Sequence, residues 1–380
     1  MSVLAVNQIT DASGGATATI NSFTPTVSNM AGRNRIINGA MMIDQRNAGA
    51  AVTTTESYVV DRWFNQNSIT SGTITAQQST DAPAGFYNSF IKTFTGVSYN
   101  ATSGYAILNQ VIEKNNIIDL AYGTSSAKTI TVSFWVKSSV IGDHSFALQN
   151  WSSSRRSFLA SYTINSANTW EFKSITIPGD TSFAPSNAMN AVGISIRFSQ
   201  GAGSQYTGST ANSWVTADQF FLSGCVTPAT ISGATWQITG VQLEEGSVAT
   251  PFETRQYGQE LALCQRYYEK SFNIGTAPAD NSPPTYKTTL ITYDANGAAI
   301  SYIAFLVLKR TSATMTYYST NQVGGGAGNW QYYNGSAWAN GTGTSTAGAT
   351  ERGCAVFFDT TLGNSAGQYC WGHWAASAEL

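Results

Sequence analysis

The sequence predicts a mainly β chain: an extended N-terminal arm, a jelly-roll β-sandwich, a short helical connector and a smaller C-terminal β domain. Three observations carry this. Charged residues are only 11% of the 380, where an ordinary soluble domain carries roughly 25%. Glycine (35 residues) and Ser, Thr and Asn tracts fill the gap, a composition suited to sandwiches with long polar loops. Many short segments alternate apolar and polar residues between turn signals, whereas one stretch near residue 260 has a helical period. With 42% hydrophobic residues, disorder throughout is excluded.

The arm, residues 1–33, begins "MSVLAVNQITDASGG". It is polar, weakly patterned and too poor in apolar residues to bury a core of its own. It has no basic n-region and no apolar h-region, so no secretory signal is expected. The tone changes at "NRIINGAMMIDQRN", where Asn38-Gly39 breaks an apolar run with a turn signal. Clear strands follow. In "KTITVSFWVKSS", Ile130, Val132, Phe134 and Val136 point one way and Thr131, Ser133, Trp135 and Lys137 the other. "VGISIRFSQ" alternates through Val192, Ile194, Ile196 and Phe198. In "WQITGVQLEEG", Trp236 and Ile238 fall out of phase with Val241 and Leu243, which marks a bulge at Gly240. Trp63, Trp135, Trp170 and Trp236 lie in strand-like contexts and read as core or seam residues. The sandwich runs over residues 34–254.

Residues 255–272 read as a connector holding a helix from about Tyr257 to Lys270. Tyr257, Leu261, Cys264 and Tyr268 form its apolar stripe, with Glu260, Gln265, Arg266, Glu269 and Lys270 opposite. About fourteen residues of helix are marginal alone, so the stripe must pack in an inter-domain or intersubunit seam. Residues 273–380 return to strands. Asn334-Gly335 signals a hairpin carrying Trp330 and Tyr332 on one strand and Trp338 on the next.

The chemistry classes are bounded. A net charge of −2 offers no field for gripping nucleic acid, and no apolar run is long enough to span a bilayer. Cys225, Cys264, Cys354 and Cys370 lack zinc spacing. The first two read as buried thiols, and a Cys354–Cys370 bridge is left open. Two histidines, His144 and His373, give a triad or a metal site little to draw on. No cofactor is implied. "GGGAG" at Gly324 to Gly328 lacks the Lys and Ser/Thr of a phosphate loop and reads as a loop.

Four passages, "NRIINGAMMIDQRN", "YVVDRW", "ITGVQLEEGSVATPFETRQYGQELALCQRYYEKS" and "GHWAASAEL", resemble a family of bacteriophage tail-fibre-like virion proteins. The resemblance spans about Asn34 to Leu380. It implies a jelly roll like that of carbohydrate-binding modules, a helical connector and a variable β tip, in a homotrimeric fibre. On this reading the arm attaches to other virion proteins and the chain binds host surface glycan without cutting it. A purely structural particle protein and a glycan-cleaving spike are the alternatives. A structural calcium is typical of carbohydrate-module relatives, but no D-x-D run is present. A spike would need two acids, and Asp44, Asp61, Glu113, Glu171, Glu244 and Glu245 are the candidates; Asp61-Arg62 reads more simply as a charge pair at a domain seam. Trp330, Tyr332, Tyr333 and Trp338 flank the hairpin in the most Gly-, Asn- and Ser-rich stretch. They read either as glycan-stacking rings or as the filling of a small core.

Overall fold

The computed structural model describes residues 32–53, 55–150, 155–182, 190–285, 288–291, 299–324, 326–359 and 369–380. The arm expected at 1–33 lies almost wholly outside them.

Alternation places each strand of the sandwich. Ile130, Val132, Phe134 and Val136 are all fully buried, as are Ile194, Ile196 and Phe198 on the facing sheet. One sheet has seven antiparallel strands in the spatial order Glu56–Val60, Trp63–Ser68, Tyr105–Glu113, Val192–Ala202, Gly142–Asn150, Arg156–Ile164 and Trp214–Val215. The other has five: Ser71–Ser79, Ser89–Ser98, Thr235–Glu245, Ile130–Ser138 and Glu171–Ile177. Phe198 lies at the centre of the core, with the rings of Phe134, Phe146 and Trp236 at 5.0, 5.4 and 5.7 Å. Such ring pairs favour tilted and edge contacts because of their quadrupoles.

The expected bulge is present. The register of Thr235–Glu245 against Ile130–Ser138 shifts between Thr239 and Gln242. The shift lets Trp236, Ile238, Val241 and Leu243 all face inward, fully buried. Gly240 has φ +61° there, and a Cβ on it would lie 2.6 Å from Phe86 Cζ, so only glycine fits. Among the four tryptophans read as core or seam, Trp63 and Trp236 are fully buried. Trp135 and Trp170 are not: both remain partly exposed on the outer face of the five-stranded sheet.

The C-terminal unit is organised by its last strand, Tyr369–Ser377. It pairs antiparallel with Tyr268–Lys270, Thr288–Ile291, Thr314–Tyr318 and Gln331–Tyr333. A second sheet joins Ala299–Ala304, Gly353–Asp359 and Thr342–Ala347. Cys354 and Cys370 are free thiols buried in this core, and burial pushes Cys370 up to about 12.

The connector differs from its sequence reading. The helix covers only Tyr257–Gln265, and Tyr268 belongs to a strand. From Tyr268 on, the ladder to Tyr369–Ser377 takes the backbone hydrogen bonds that further helix would have used. The apolar stripe divides accordingly. Cys264 and Tyr268 are buried, Leu261 is partly so, and Tyr257 is 47% exposed. The polar side is the larger departure, since Glu260, Gln265, Glu269 and Lys270 are all less than a tenth exposed. Both units press on the connector, so these groups pair with protein instead of water. Asn38 N–H donates to Glu260, and Lys270 Nζ donates to the carbonyls of Gln45, Ile274 and Thr276. Lys309 Nζ pairs with Glu269 and also donates to Gln265 O.

Around the connector lies a buried polar seam. Glu379 pairs with both Arg62 and Arg46, and Arg46 also faces Asp61 at 3.7 Å. The guanidinium carbon of Arg62 lies 3.5 Å from the centre of the Tyr267 ring, and that of Arg46 lies 3.7 Å from Tyr268. Glu113 and Arg266 form a two-bond fork, each bond 2.9 Å. Asp61-Arg62 is thus at a seam as expected, although the two residues pair with others and not with each other.

Two outcomes follow from this seam. Breaking a buried pair strands its partner, so Glu379→Ala should lower the free energy of unfolding by ~3–5 kcal/mol in urea titration. Adding Arg62→Met should restore part of that loss. The second concerns pH. Burial, only partly offset by Arg46 and by hydrogen bonds from Gln45, raises Asp61 to about 6 from its ordinary 3.8. The folded state then holds a proton that the unfolded chain has released, so this contribution is fully present below about pH 4 and is lost as pH rises through 6. Wild type should therefore gain stability relative to Asp61→Asn as pH falls from 6 to 4; a pH-independent difference between the two would contradict the assignment.

Candidate functional site

The hairpin forms where Asn334-Gly335 places it, but with a four-residue connection. Strand Gln331–Tyr333 pairs with Trp338–Asn340. Asn334 Oδ1 accepts the N–H groups of Ser336 and Ala337 at 3.0 and 2.8 Å, and Gly335 takes φ +95°. Alternation then sorts the aromatic residues. Tyr332 and Ala339 point into the C-terminal core, and Tyr333 and Trp338, which sit opposite each other, point out.

Of the four rings proposed from sequence, two are structural. Trp330 is fully buried: its indole N–H donates to His373 O at 2.9 Å, and the Tyr317 ring stands edge-on at 5.8 Å. A Cβ at Gly372 would overlap that indole, so the "GHW" glycine is required for the close approach. Tyr332 is 2% exposed in the same cluster. As placed, neither can touch a ligand. They are the floor beneath the other two.

Tyr333 and Trp338 are partly exposed and 5.8 Å apart between ring centres. The structure adds a third ring that sequence reasoning missed. Trp371, on the last strand and also partly exposed, lies 4.2 Å from Trp338. It arrives there because the last strand pairs with Gln331–Tyr333, with Gln331 directly opposite Trp371. The alternation of "QYCWGHW" could place Trp371 on the face away from Cys370, but not which strand lies beside it.

Amides border the rings. Gln331 Nε2 donates to Asn340 Oδ1 at 2.8 Å and to Val323 O, while Gln331 Oε1 accepts Thr320 Oγ1 at 2.5 Å. Asn340 Nδ2 donates to Gly324 O at 2.8 Å, and a Cβ on Gly326 would collide with the Asn340 amide. The glycine loop therefore packs against the hairpin. The arrangement offers three contacting rings, held from below by a buried indole and from the side by an amide network. It can stack on a flat, weakly polar ligand face.

The acidic candidates are occupied elsewhere. Asp44 accepts the Asn47 and Gly49 N–H groups, Glu113 holds Arg266, and Glu244 accepts from Thr250. Glu245 pairs with Lys128, and Glu171 binds Asn165, Ser166 and Lys173. His144 is buried, with Nε2 2.9 Å from Val140 O and its ring on Tyr162; His373 is buried between Ser271 and Pro283 O, with its ring on Phe272. A cleft of about 220 Å³ lies at the seam beside Phe86, Tyr87 and Phe252. Its Arg255 and Glu260 are committed to Ile36 O, Asn34 O and Asn38 N–H.

No protein-family model and no curated protein sequence matches this chain. Among solved structures, the chain is similar to the enzymatically active domain of tailspike protein 4 of bacteriophage CBA120, at 14% identity and TM-score 0.32. That match covers 56% of this chain and only 21% of the tailspike chain. It is similar to a putative sugar binding protein from Bacteroides thetaiotaomicron, at 14% identity and TM-score 0.35 over 56% of this chain and all of that one. It is also similar to the xylan-binding CBM22-1 domain of Paenibacillus barcinonensis Xyn10C, at 10% identity and TM-score 0.28, covering 53% of this chain and 99% of that one.

Proposed function

We propose that this chain is a bacteriophage fibre-type virion protein that attaches to its host by binding surface glycan at the C-terminal unit, without cutting it. The observation that carries the reading is the outward face of Tyr333, Trp338 and Trp371, set on the buried Trp330 and Tyr332. Sugar rings present C–H faces that stack on aromatics, and neighbouring amides serve their hydroxyls. The sequence resemblance to tail-fibre-like virion proteins over about Asn34 to Leu380 supports the virion role; attachment to other virion proteins is assigned to the arm because it is too poor in apolar residues to bury a core of its own. The engaged carboxylates support binding without hydrolysis.

We further read the assembly as a homotrimer. Tyr302, Leu306, Leu308 and Phe357 leave apolar side chains exposed on the C-terminal unit at 57, 82, 51 and 37%, which favours burial against other copies. Three weak sites on one particle then gain by effective concentration.

Trp338→Ala is the direct test. It should weaken binding to host polysaccharide about tenfold per site, with stability changed by less than ~0.5 kcal/mol because the ring is not in the core. Unchanged binding per folded molecule would remove the site. Trp330→Ala should do the reverse first: a loss of ~3–5 kcal/mol on unfolding, read by thermal melting. Sedimentation showing a stable monomer would overturn the trimer, and new reducing ends on incubation with host polysaccharide would overturn the non-enzymatic reading.

A further inference from the structure

The two outer faces of the sandwich are treated differently. On the seven-stranded sheet, Ile107, Ala147 and Leu159 point outward, and Phe220 and Leu222 from residues 203–226 cover them. On the five-stranded sheet, the outward residues Trp135 and Phe172 sit opposite each other with ring centres 5.6 Å apart. Phe172 is 48% exposed and Trp135 partly so. The adjacent row holds Lys137 and Gln237, which also sit opposite each other, and Trp170 extends it from the loop before Glu171.

A polar hub lies beside Trp170. Asp81, from the loop after Ser71–Ser79, accepts Lys137 Nζ and the Trp170 indole N–H, the latter at 3.2 Å. Lys137 in turn lies 5.4 Å from the Trp170 ring centre. Gln237 also hydrogen-bonds Asp81, and the Lys137 bond leads in holding that carboxyl below its ordinary range. Gln237 is 5% exposed, yet its Oε1 has no hydrogen-bond partner. A buried acceptor left empty is costly in a native protein, and this one lies among rings open to solvent.

The loop that carries Trp170 is fixed in place. Glu171 accepts the N–H groups of Asn165 and Ser166, each at 2.9 Å, and pairs with Lys173 at 2.6 Å. Against its partial burial, these bonds hold its carboxyl down at about 2. Asn168 takes φ +56°, and its N–H donates to Ser138 O at 2.7 Å. A ring presented this way binds with little ordering cost.

We propose that Trp135, Phe172 and Trp170, with Gln237 and Asp81, form a second ligand face on the sandwich, separate from the C-terminal rings, that takes a pyranose unit of a neutral glycan. Charge decides the class. The face's cation and anion, Lys137 and Asp81, neutralise each other, so it presents no field for an acidic polymer or a phosphate. Rings that are flat but tilted by 59° suit the C–H face of a sugar and its edge. The outer lone pairs of Asp81, whose side chain is 47% exposed, accept a ring hydroxyl, and Gln237 helps to hold that carboxylate in place.

The test uses the full chain and a panel of neutral gluco-, galacto- and manno-oligosaccharides, read by calorimetry and tryptophan fluorescence. Wild type should bind at least one panel member at this face. Phe172→Ala and Trp135→Ala should each weaken that binding about tenfold and leave the melting temperature unchanged, while Trp338→Ala leaves this site intact. Loss in Trp338→Ala alone, or no binding of any panel member, overturns the second face; the first of these outcomes retains the C-terminal site. Loss in Phe172→Ala with binding intact in Trp338→Ala supports the second face and leaves the C-terminal one to its own test with host polysaccharide. A shift to smaller species on sedimentation of Phe172→Ala would make the face an interface between copies and overturn the proposal.

Discussion

A buried carboxylate at the chain's penultimate residue organises the molecule. Glu379 holds Arg46, in the turn that follows the first apolar run of the sandwich, and Arg62, in the turn after its first strand. The strand that ends just before Glu379, Tyr369–Ser377, is the one on which the C-terminal sheet is built. Ions this deep are costly to desolvate and hold only if each is paired and hydrogen-bonded. The seam meets that demand with Tyr267 and Tyr268 beneath the guanidiniums, Val111 O as a further acceptor for Arg62, and the Gln45 amide on Asp61. Such a set closes in one geometry, so the two units are fixed by specificity of pairing more than by apolar area.

Asn38 ties the same seam to the helix and to the sandwich core. Its amide side chain bonds Ile43 at both N–H and O and also Asp61 O; its carbonyl accepts the Trp63 indole; its N–H donates to Glu260. With φ +57° it occupies a left-handed position that Asn tolerates better than most residues. A single turn residue thus links a core tryptophan to Glu260 on the connector's polar side.

A rigid scaffold lets exposed rings be presented without collapse. At the C-terminal face a buried indole supports the hairpin; on the sandwich, a carboxylate pins the loop before Trp170. In both places polar groups fix the backbone while aromatic faces stay open to solvent, the combination that binding by stacking requires.

Much of this was legible in the sequence because it is local. Period-two alternation placed the inward residues of Ile130–Ser138, the phase slip around Gly240 marked the bulge, and Asn334-Gly335 marked the hairpin. What it could not show depended on partners far along the chain. Lys92 is one case: alternation cannot foresee an ammonium buried between the sheets, donating to Asn67, Ile107 O and Gln200. The helix is another, since its apolar period ran on to Tyr268 while a strand a hundred residues later claimed that segment. Trp330 and Trp338 look alike in sequence, yet one is sealed under Gly372 and the other meets Trp371 in the open. Sequence by itself determined the strands, the turns and which residues share a face, because backbone sterics and side-chain period act over a few residues. Tertiary structure alone decided which faces are covered and which charges find partners, because burial and ion pairing depend on what the rest of the chain brings alongside.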